Sequence, residues 1–420
     1  MRIIYVLSFT LLISVAGTAQ DRCGSAGYLN KVMLSDPAVR ENIRQVDRFT
    51  TARLRNQPVF ESSANQPDAV RPITIPVVVH VLYHNQQENI SEDQIRSQIE
   101  VLNADFSKTN SDFSRVPPVF AALAADAGIR FEFAKSDPDG RPTNGIVRKQ
   151  SGRLLWSDDD KVKMESEGGS AAWDTRHYLN FWICNTPGGL LGYGTFPGGA
   201  AEKDGVVIRF NVFGTRGNLQ ARFDKGRTAT HEVGHWLNLR HIWGDTNCGD
   251  DDVQDTPRQK THNSGNPSFP HLNAGCDNGV NGDMFMNFMD FSDDASLNMF
   301  TQGQRDRMLT LFADGGARNG FLASTGLSDP WNAALTAPST LETGSAVRIY
   351  PNPAAGSSVT LSVDASVSGQ HYAVYAADGH LVLSGTLSGN KQVLDLGRIQ
   401  SGIYFVKVGE GRLSSKFVKN

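Results

Sequence analysis

The sequence predicts an α/β domain followed by a separate all-β domain, and three observations carry that reading. The first is a β-branched run, Ile73 to Tyr83 (ITIPVVVHVLY), of the kind that forms a central strand. The second is the succession after it of a helical pattern, further strand patterns and a longer helix-forming stretch near Thr230. The third is a change after Phe312 to small polar residues and then to short alternating runs. With 420 residues the chain exceeds what one hydrophobic core usually supports, so two or three folded units are expected.

Composition narrows the function classes. Hydrophobic residues at 39% and charged residues at 20% are ordinary for a globular protein and unlike a disordered or fibrous chain. A formal charge of -4 offers no field that would recruit nucleic acid or anionic lipid, so neither is expected as a partner.

At the N-terminus, Arg2, the apolar stretch Ile3 to Val15 and the small residues Gly17-Thr18-Ala19 read as a secretory signal peptide over residues 1–19. A buried helix or membrane anchor is the other reading, but the apolar run is too short to span a bilayer, and no later segment is long and apolar enough. Gln20, Asp21 and Arg22 before Cys23 argue against lipidation there. Residues 20–70 are polar, with a helical pattern through Val32, Ala38, Ile43 and Val46 and a basic end at Arg53-Leu54-Arg55, and read as a removable segment or a plain helical extension.

The α/β domain is expected over 71–327. Ser91 with Gln94 forms a capping-box pattern ahead of an amphipathic helix that presents Ile95, Ile99 and Leu102. Strands are expected at Ile129 to Ala134, Tyr178 to Cys184 and Val206 to Asn211. Residues 328–345, with Pro330 and Pro338, read as a linker. From 346 to 420, runs such as VTLSV, YAVYA and IYFVKV, punctuated by Asn352-Pro353, Asp378-Gly379 and Ser401-Gly402, predict a β-sandwich without a catalytic constellation.

The stretch Thr230 to Asp245, THEVGHWLNLRHIWGD, holds the chemistry. His231 and His235 are four residues apart, so on a helix both imidazoles project from one face and can reach one zinc ion. Glu232 beside them can take a proton from water that zinc has acidified. A catalytic site wants a third protein ligand, and His241 can supply it if the helix ends and the chain turns back. Asn238 suits that turn, because asparagine tolerates positive φ better than most residues other than glycine. A lone histidine is more often structural; the third histidine, the turn residue between and a downstream Met-containing turn favour the metal.

At these residues the chain resembles the metzincin metallopeptidases, and more narrowly the pappalysin or cytophagalysin family, over Ile73 to Phe312. The extended zinc motif, the stretch Asn287-Phe288-Met289-Asp290 and Leu190-Leu191-Gly192-Tyr193-Gly194-Thr195-Phe196-Pro197 carry the resemblance. It implies a mixed twisted sheet with an active-site helix, and a secreted zinc endopeptidase acting on proteins or peptides. It also implies Met289 as an apolar floor under the zinc, and an exposed strand from Leu191 through Gly192, Tyr193 and Gly194 to Thr195 that pairs with extended substrate. Asn238 stands where relatives usually have glycine, and Phe291 where they often have a tyrosine able to bond an oxyanion. Asp293 and Asp294 are expected at the primed-side pocket, giving a preference for Arg or Lys, with solvated loop carboxylates as the alternative.

Of four cysteines, Cys248 and Cys276 bracket the polar loop after the third ligand and are expected to pair. Cys184 is expected as a free buried thiol, with a Cys23–Cys184 bond as the rival. Arg22-Cys23-Gly24 resembles the cysteine-switch element of matrix metallopeptidase zymogens, implying that Cys23 binds zinc in a latent form. Asp245, Asp250, Asp252, Asp255 and Thr256 concentrate oxygen ligands of the kind calcium takes, and relatives carry structural calcium in this region. Ile349-Tyr350-Pro351-Asn352-Pro353 and Ser401 to Lys407 resemble the sorting domains of type IX secretion substrates, implying that machinery as a partner. The rival reading of the whole chain is a non-catalytic secreted adhesin with a structural zinc site, in which Glu232 would be idle.

Overall fold

The computed structural model describes residues 22–56, 72–273, 275–328, 347–377, 379–409 and 413–420. The expected signal peptide, most of the expected linker, and Asp378 lie outside the described residues. The chain divides into two units, Met1–Pro330 and Trp331–Asn420.

In the first unit, residues 22–56 form helices α1 (Ser25–Ser35) and α2 (Pro37–Asn56) instead of one continuous helical run. Asp36 makes the break. Its backbone N–H closes α1 on Val32 O at 3.0 Å, while its carboxylate accepts from Ala38 N at 2.8 Å and caps α2, with Pro37 in the first helical position.

Strand β1 (Ile73–Tyr83) is the axis of the sheet. Helix α3 (Glu92–Phe106) and a single turn, α4 (Pro118–Ala121), lead to β2 (Ile129–Phe133) and β3 (Ile146–Gln150). These two pair in succession with one edge of β1, while β4 (Leu179–Cys184) pairs with the other, all in parallel. Parallel β6 (Val206–Arg209) follows β4, and β5 (Gly192–Gly194) closes that side antiparallel to β6. The sheet is therefore mixed, and its parallel part is covered on both faces, which is why β1 reads as an unbroken hydrophobic run. Ile75, Val77, Val79 and Val81 join the main core with α3 and the later helix, whereas Val78 and Leu82 pack on the opposite face.

Ser91 caps α3 by accepting from Gln94 N at 3.1 Å. The expected reciprocal half of the box is absent, because the Gln94 amide donates instead to Phe210 O and Phe213 O at 3.0 and 2.9 Å. The complete capping box is at Thr301 and Gln304, opening α6 (Gln302–Thr310).

His80 sits inside β1, bonded to Ser170 Oγ at 2.9 Å and Asn180 Oδ1 at 3.0 Å and stacked on Trp182. Burial pushes its pKa down from 6.5 to about 4. Because the folded value is depressed, the unfolded chain binds the proton more readily. The neutral ring's contribution is complete above about pH 6.5 and is lost as pH falls toward 4, a change of about 3 kcal/mol. Denaturant titrations at pH 7 and 4.5 should show His80→Gln losing less stability over this interval than wild type; equal losses would contradict the assignment.

The second unit has two antiparallel sheets. One orders β10 (Leu381–Thr386), β9 (His371–Ala376), β12 (Gly402–Val408) and β13 (Leu413–Lys419); the other orders β11 (Lys391–Asp395), β8 (Ser358–Ser362) and β7 (Arg348–Tyr350). Alternate residues, among them Val359, Leu361, Val374, Tyr404, Val406 and Val408, form one core. Among the described residues no helix is long and apolar enough to cross a membrane.

Candidate active site

Helix α5 (Arg227–Trp236) places the first two histidines and the acid. At its start, buried Arg227 pairs with Asp105 and, at 2.9 Å, with Asp112, and Thr230 Oγ1 donates to Asp105 at 2.6 Å. The helix ends after Trp236 in a Schellman turn: Asn238 takes φ 68, Asn238 N donates to His235 O at 2.9 Å, and Leu239 N donates to Gly234 O at 2.9 Å. That reversal brings His241 back beside His231 and His235.

Each ring is held through one nitrogen. His231 Nδ1 bonds Phe288 O at 2.7 Å, His235 Nδ1 bonds Leu239 O at 2.8 Å, and His241 Nδ1 bonds Asp245 Oδ1 at 2.5 Å. Neutral rings must donate in these bonds, which leaves every Nε2 as a bare lone pair. His235 Nε2 faces those of His231 and His241 at 3.1 Å each. Three lone pairs aimed at one point repel unless a cation sits among them, so this donor set fits zinc. Burial, then the neighbouring His241, pushes the His231 pKa down to about 3 and that of His235 down as well, which keeps both as ligands instead of cations.

Met289 lies fully buried below. Any side chain at position 234 would collide with Met289 Sδ, so glycine within the H-E-x-x-H run is a packing requirement. The same turn holds the ligands: Phe288 O fixes His231, and Met289 O accepts from Ile242 N at 3.2 Å. Asn287 pairs its amide with that of Gln304 at 2.8 and 2.9 Å, anchoring the turn to α6.

The expected substrate strand is not exposed. Leu191 to Thr195 is buried because residues 22–25 lie along it: Leu191 N donates to Arg22 O at 2.8 Å, Gly24 N donates to Gly192 O at 2.9 Å, and Cys23 pairs with Gly192 in parallel. Cys23 Sγ and one nitrogen from each histidine lie within 4.8 Å of one another. Glu232 is buried beside them, and burial pushes its pKa up to about 7. Its Oε2 accepts from Ser25 Oγ at 2.6 Å and lies 3.4 Å from Cys23 Sγ. Ser25 Oγ in turn accepts from Gly194 N at 2.8 Å. Sequence reasoning missed Ser25; its position two residues after the cysteine was the available signal.

Arg22 lines a pocket with His231, Glu232 and Asp294. Its guanidinium donates to Phe291 O at 2.9 Å, lies 3.7 Å from Asp293 and covers the Phe223 ring at 4.7 Å. Asp293 and Asp294 are not solvated. Asp293 is bonded twice by Arg222, and Asp294 accepts from Lys225 N and Arg227 N. Phe291 packs against His231 and His241, and its ring can donate no hydrogen bond.

A second contact of residues 22–56 was also invisible in the sequence. Asp47 of α2 lies 3.0 Å from both Arg240 and the buried Arg307, whose Nε donates to Asn238 O at 2.7 Å. Thr50 and Asp47 also lie within 3.5 Å of the Asn238 amide.

Cys248 and Cys276 are joined in a disulfide, whereas Cys23 and Cys184 are free and buried, so they do not pair. Each expected calcium donor has a protein partner in the structure. Asp245 orients His241, Asp250 pairs with Arg258, Asp252 with Arg240, Asp255 caps α6 through Thr301 and Gly303, and Thr256 bonds Asp251. Thr256 Oγ1 lies 2.8 Å from the buried Asp251 carboxylate and 2.9 Å from Val253 O.

Comparison with known proteins agrees with this geometry. A sequence model of the peptidase M43 family, described as pregnancy-associated plasma protein-A, matches residues 163–313, and one for a secretion system C-terminal sorting domain matches residues 348–420. An extracellular metalloprotease of Pyricularia oryzae is 32% identical over 264 residues, covering 60% of this chain and 80% of that protein. Among solved structures, Tannerella forsythia mature mirolysin in complex with a cleaved peptide is 49% identical, with a TM-score of 0.58, covering 60% of this chain and 95% of that one. A mutant of Tannerella forsythia promirolysin is 43% identical, with a TM-score of 0.65, covering 72% and 97%. The chain belongs to the peptidase M43 family and is a secreted metalloendopeptidase, made as a zymogen and carrying a type IX sorting domain.

Proposed function

We propose that this enzyme hydrolyses peptide bonds at the site built around Glu232, with His231, His235 and His241 holding zinc and Met289 as the floor beneath them. The observation that carries the reading is the convergence of three bare imidazole nitrogens beside a buried carboxylate and an edge strand. When bound, zinc supplies Lewis acidity that polarises a carbonyl and makes water a nucleophile at neutral pH. Glu232, buried beside the three histidines, is placed to accept a proton from the attacking water and return it to the departing amine. Leu191 N–H and Gly192 C=O bind the backbone of an extended peptide, taking the bonds now made with Arg22 and Gly24. Such binding is tolerant of side chains, in keeping with the cleaved peptide bound to mirolysin. Digestion of casein that persists undiminished under a zinc chelator would overturn this reading.

Specificity is proposed to come from the pocket that Arg22 enters. It has the Phe291 carbonyl and Asp293 for a cation and the Phe223 ring for its stem, with Asp294 in its wall, so Arg or Lys is the expected residue just after the cut. Peptide-library cleavage should show that enrichment, whereas a profile of small apolar residues would remove the idea. The basic end of α2 at Arg53 to Arg55 is then a site for self-processing.

Latency is proposed to rest on Cys23 as the fourth zinc ligand in the precursor. Residues 1–19 are read as the export signal, 20–70 as the removable segment, and the sorting domain as the part recognised by the type IX machinery. N-terminal sequencing of secreted material tests these boundaries.

A further inference from the structure

Across β5 from the metal cluster lies a buried group of charges that the hydrolytic chemistry does not use. Gly192 and Gly194 face the active-site helix; a side chain on Gly192 would come within 3.3 Å of Glu232 Cγ. Alternation along the strand sends Tyr193 to the opposite face, where it packs with Trp156 and Trp182. Into this apolar cluster the chain inserts an ion pair. Lys163 Nζ lies 2.8 Å from Asp160, with its side chain wholly buried, and sits 4.9 Å from the Tyr193 ring centre. Lys203 brings a second ammonium 3.5 Å from Asp160.

The group is completed by a phenol. Tyr28 of α1 donates its hydroxyl to Asp160 Oδ2 at 2.9 Å, and its ring centre lies 5.3 Å from the Tyr193 ring and 5.3 Å from the Lys163 ammonium. The Tyr193 hydroxyl, fully buried alongside, has no hydrogen-bond partner among the described residues. The socket thus recognises each part of a tyrosine: the hydroxyl by a carboxylate, the ring by a cation and a second ring. A phenylalanine would leave the buried carboxylate one donor short.

We propose that Asp160, Lys163, Lys203 and Tyr193 form a substrate-recognition socket for a tyrosine side chain, filled by Tyr28 until residues 20–70 are removed. This rests on the latency reading above. An extended peptide on the free edge of β5 directs alternate side chains to the two faces of the sheet, one toward Glu232 and the other toward this socket. From Arg22 the segment runs past Cys23 to Tyr28, so the socket lies on the opposite side of the cleavage point from the Arg22 pocket. A substrate tyrosine there stands N-terminal to the scissile bond.

The test is a cleavage profile of the mature enzyme on a proteome-derived peptide library. Tyrosine should be enriched at one fixed position N-terminal to the cut, and matched synthetic peptides should favour Tyr over Phe there about tenfold in kcat/KM, as loss of a bond to a charged acceptor implies. Asp160→Ala combined with Lys163→Met removes the acceptor and both charges, leaving neither charge buried alone, and should bring that Tyr-to-Phe ratio to about one. In the precursor, hydrogen exchange along α1 should quicken about tenfold in Tyr28→Phe and further in Tyr28→Ala. Active enzyme with no tyrosine enrichment, or unchanged α1 protection in Tyr28→Ala, overturns the socket and leaves the peptidase reading intact. Failure of metal-loaded mature enzyme to cleave any peptide overturns the peptidase reading, and the socket with it.

Discussion

Glu232→Gln gives a chain that folds and binds zinc yet hydrolyses peptides about a thousandfold more slowly, within the range for loss of a positioned general base. Glutamine keeps the shape and can still accept from Ser25, so packing around α5 is preserved while the proton acceptor is gone. The loss falls on kcat with little change in KM, because β5 and the Arg22 pocket, not Glu232, bind the ground state. Elemental analysis and a melting curve accompany the kinetics. A residual rate within tenfold of wild type in zinc-loaded protein would show that another group moves the proton. The same variant should leave its own precursor uncut at Arg53 to Arg55 under conditions in which wild type trims itself.

Cys23→Ala and Ser25→Ala each release latency, by different routes. Removing the Cys23 sulfur takes the proposed fourth ligand away and opens that position to water. Removing the Ser25 hydroxyl takes a 2.6 Å bond from Glu232 and leaves the Gly194 N–H without its acceptor. A bond to a charged group contributes roughly 1.5–3 kcal/mol, so Ser25→Ala should raise the open population of the precursor by about ten- to a hundredfold. Cys23→Ala should raise it further. The two effects are expected to be less than additive, since both side chains touch Glu232 Oε2 and Ser25 N lies 3.4 Å from Cys23 Sγ. Hydrolysis of a short peptide by precursors kept uncut by protease inhibitors of other classes measures this. A Cys23→Ala precursor as silent as wild type would refute the cysteine as the lock; the Asp47 contact with Arg307 and Arg240 would then be the part of the segment that holds it in place.

The zinc motif was legible because its logic is local. Four residues make one helical turn, so His231 and His235 must share a face. Six residues with a left-handed position between allow His241 to return, and Asn238 takes that conformation. The glycine at 234 and the methionine at 289 could each be seen, but not that one exists to make room for the other. Asp245 shows the limit well. As one of several acids it read as a calcium donor; in the structure it stands four residues after His241 in a turn and orients that ring. Acid density cannot distinguish a carboxylate that binds a cation from one that accepts a bond from a neighbour.

From the residues alone came β1, β2, β4, β6 and α3, the three candidate ligands, the candidate base and the β-sandwich pattern after the domain. All of these depend on periodicity or spacing within a few residues, which covalent geometry converts directly into direction. Folding in space settled what lies along β5, which acids are free, and how residues 22–56 grip the rest. Tyr28 finds Asp160 132 positions away, and Asp47 finds Arg307 260 positions away. Contacts of that kind arise from the pairing of strands and the docking of helices across a common core. No local pattern encodes the partner, so a polar residue on a helix looks the same in sequence whether it faces solvent or locks an active site.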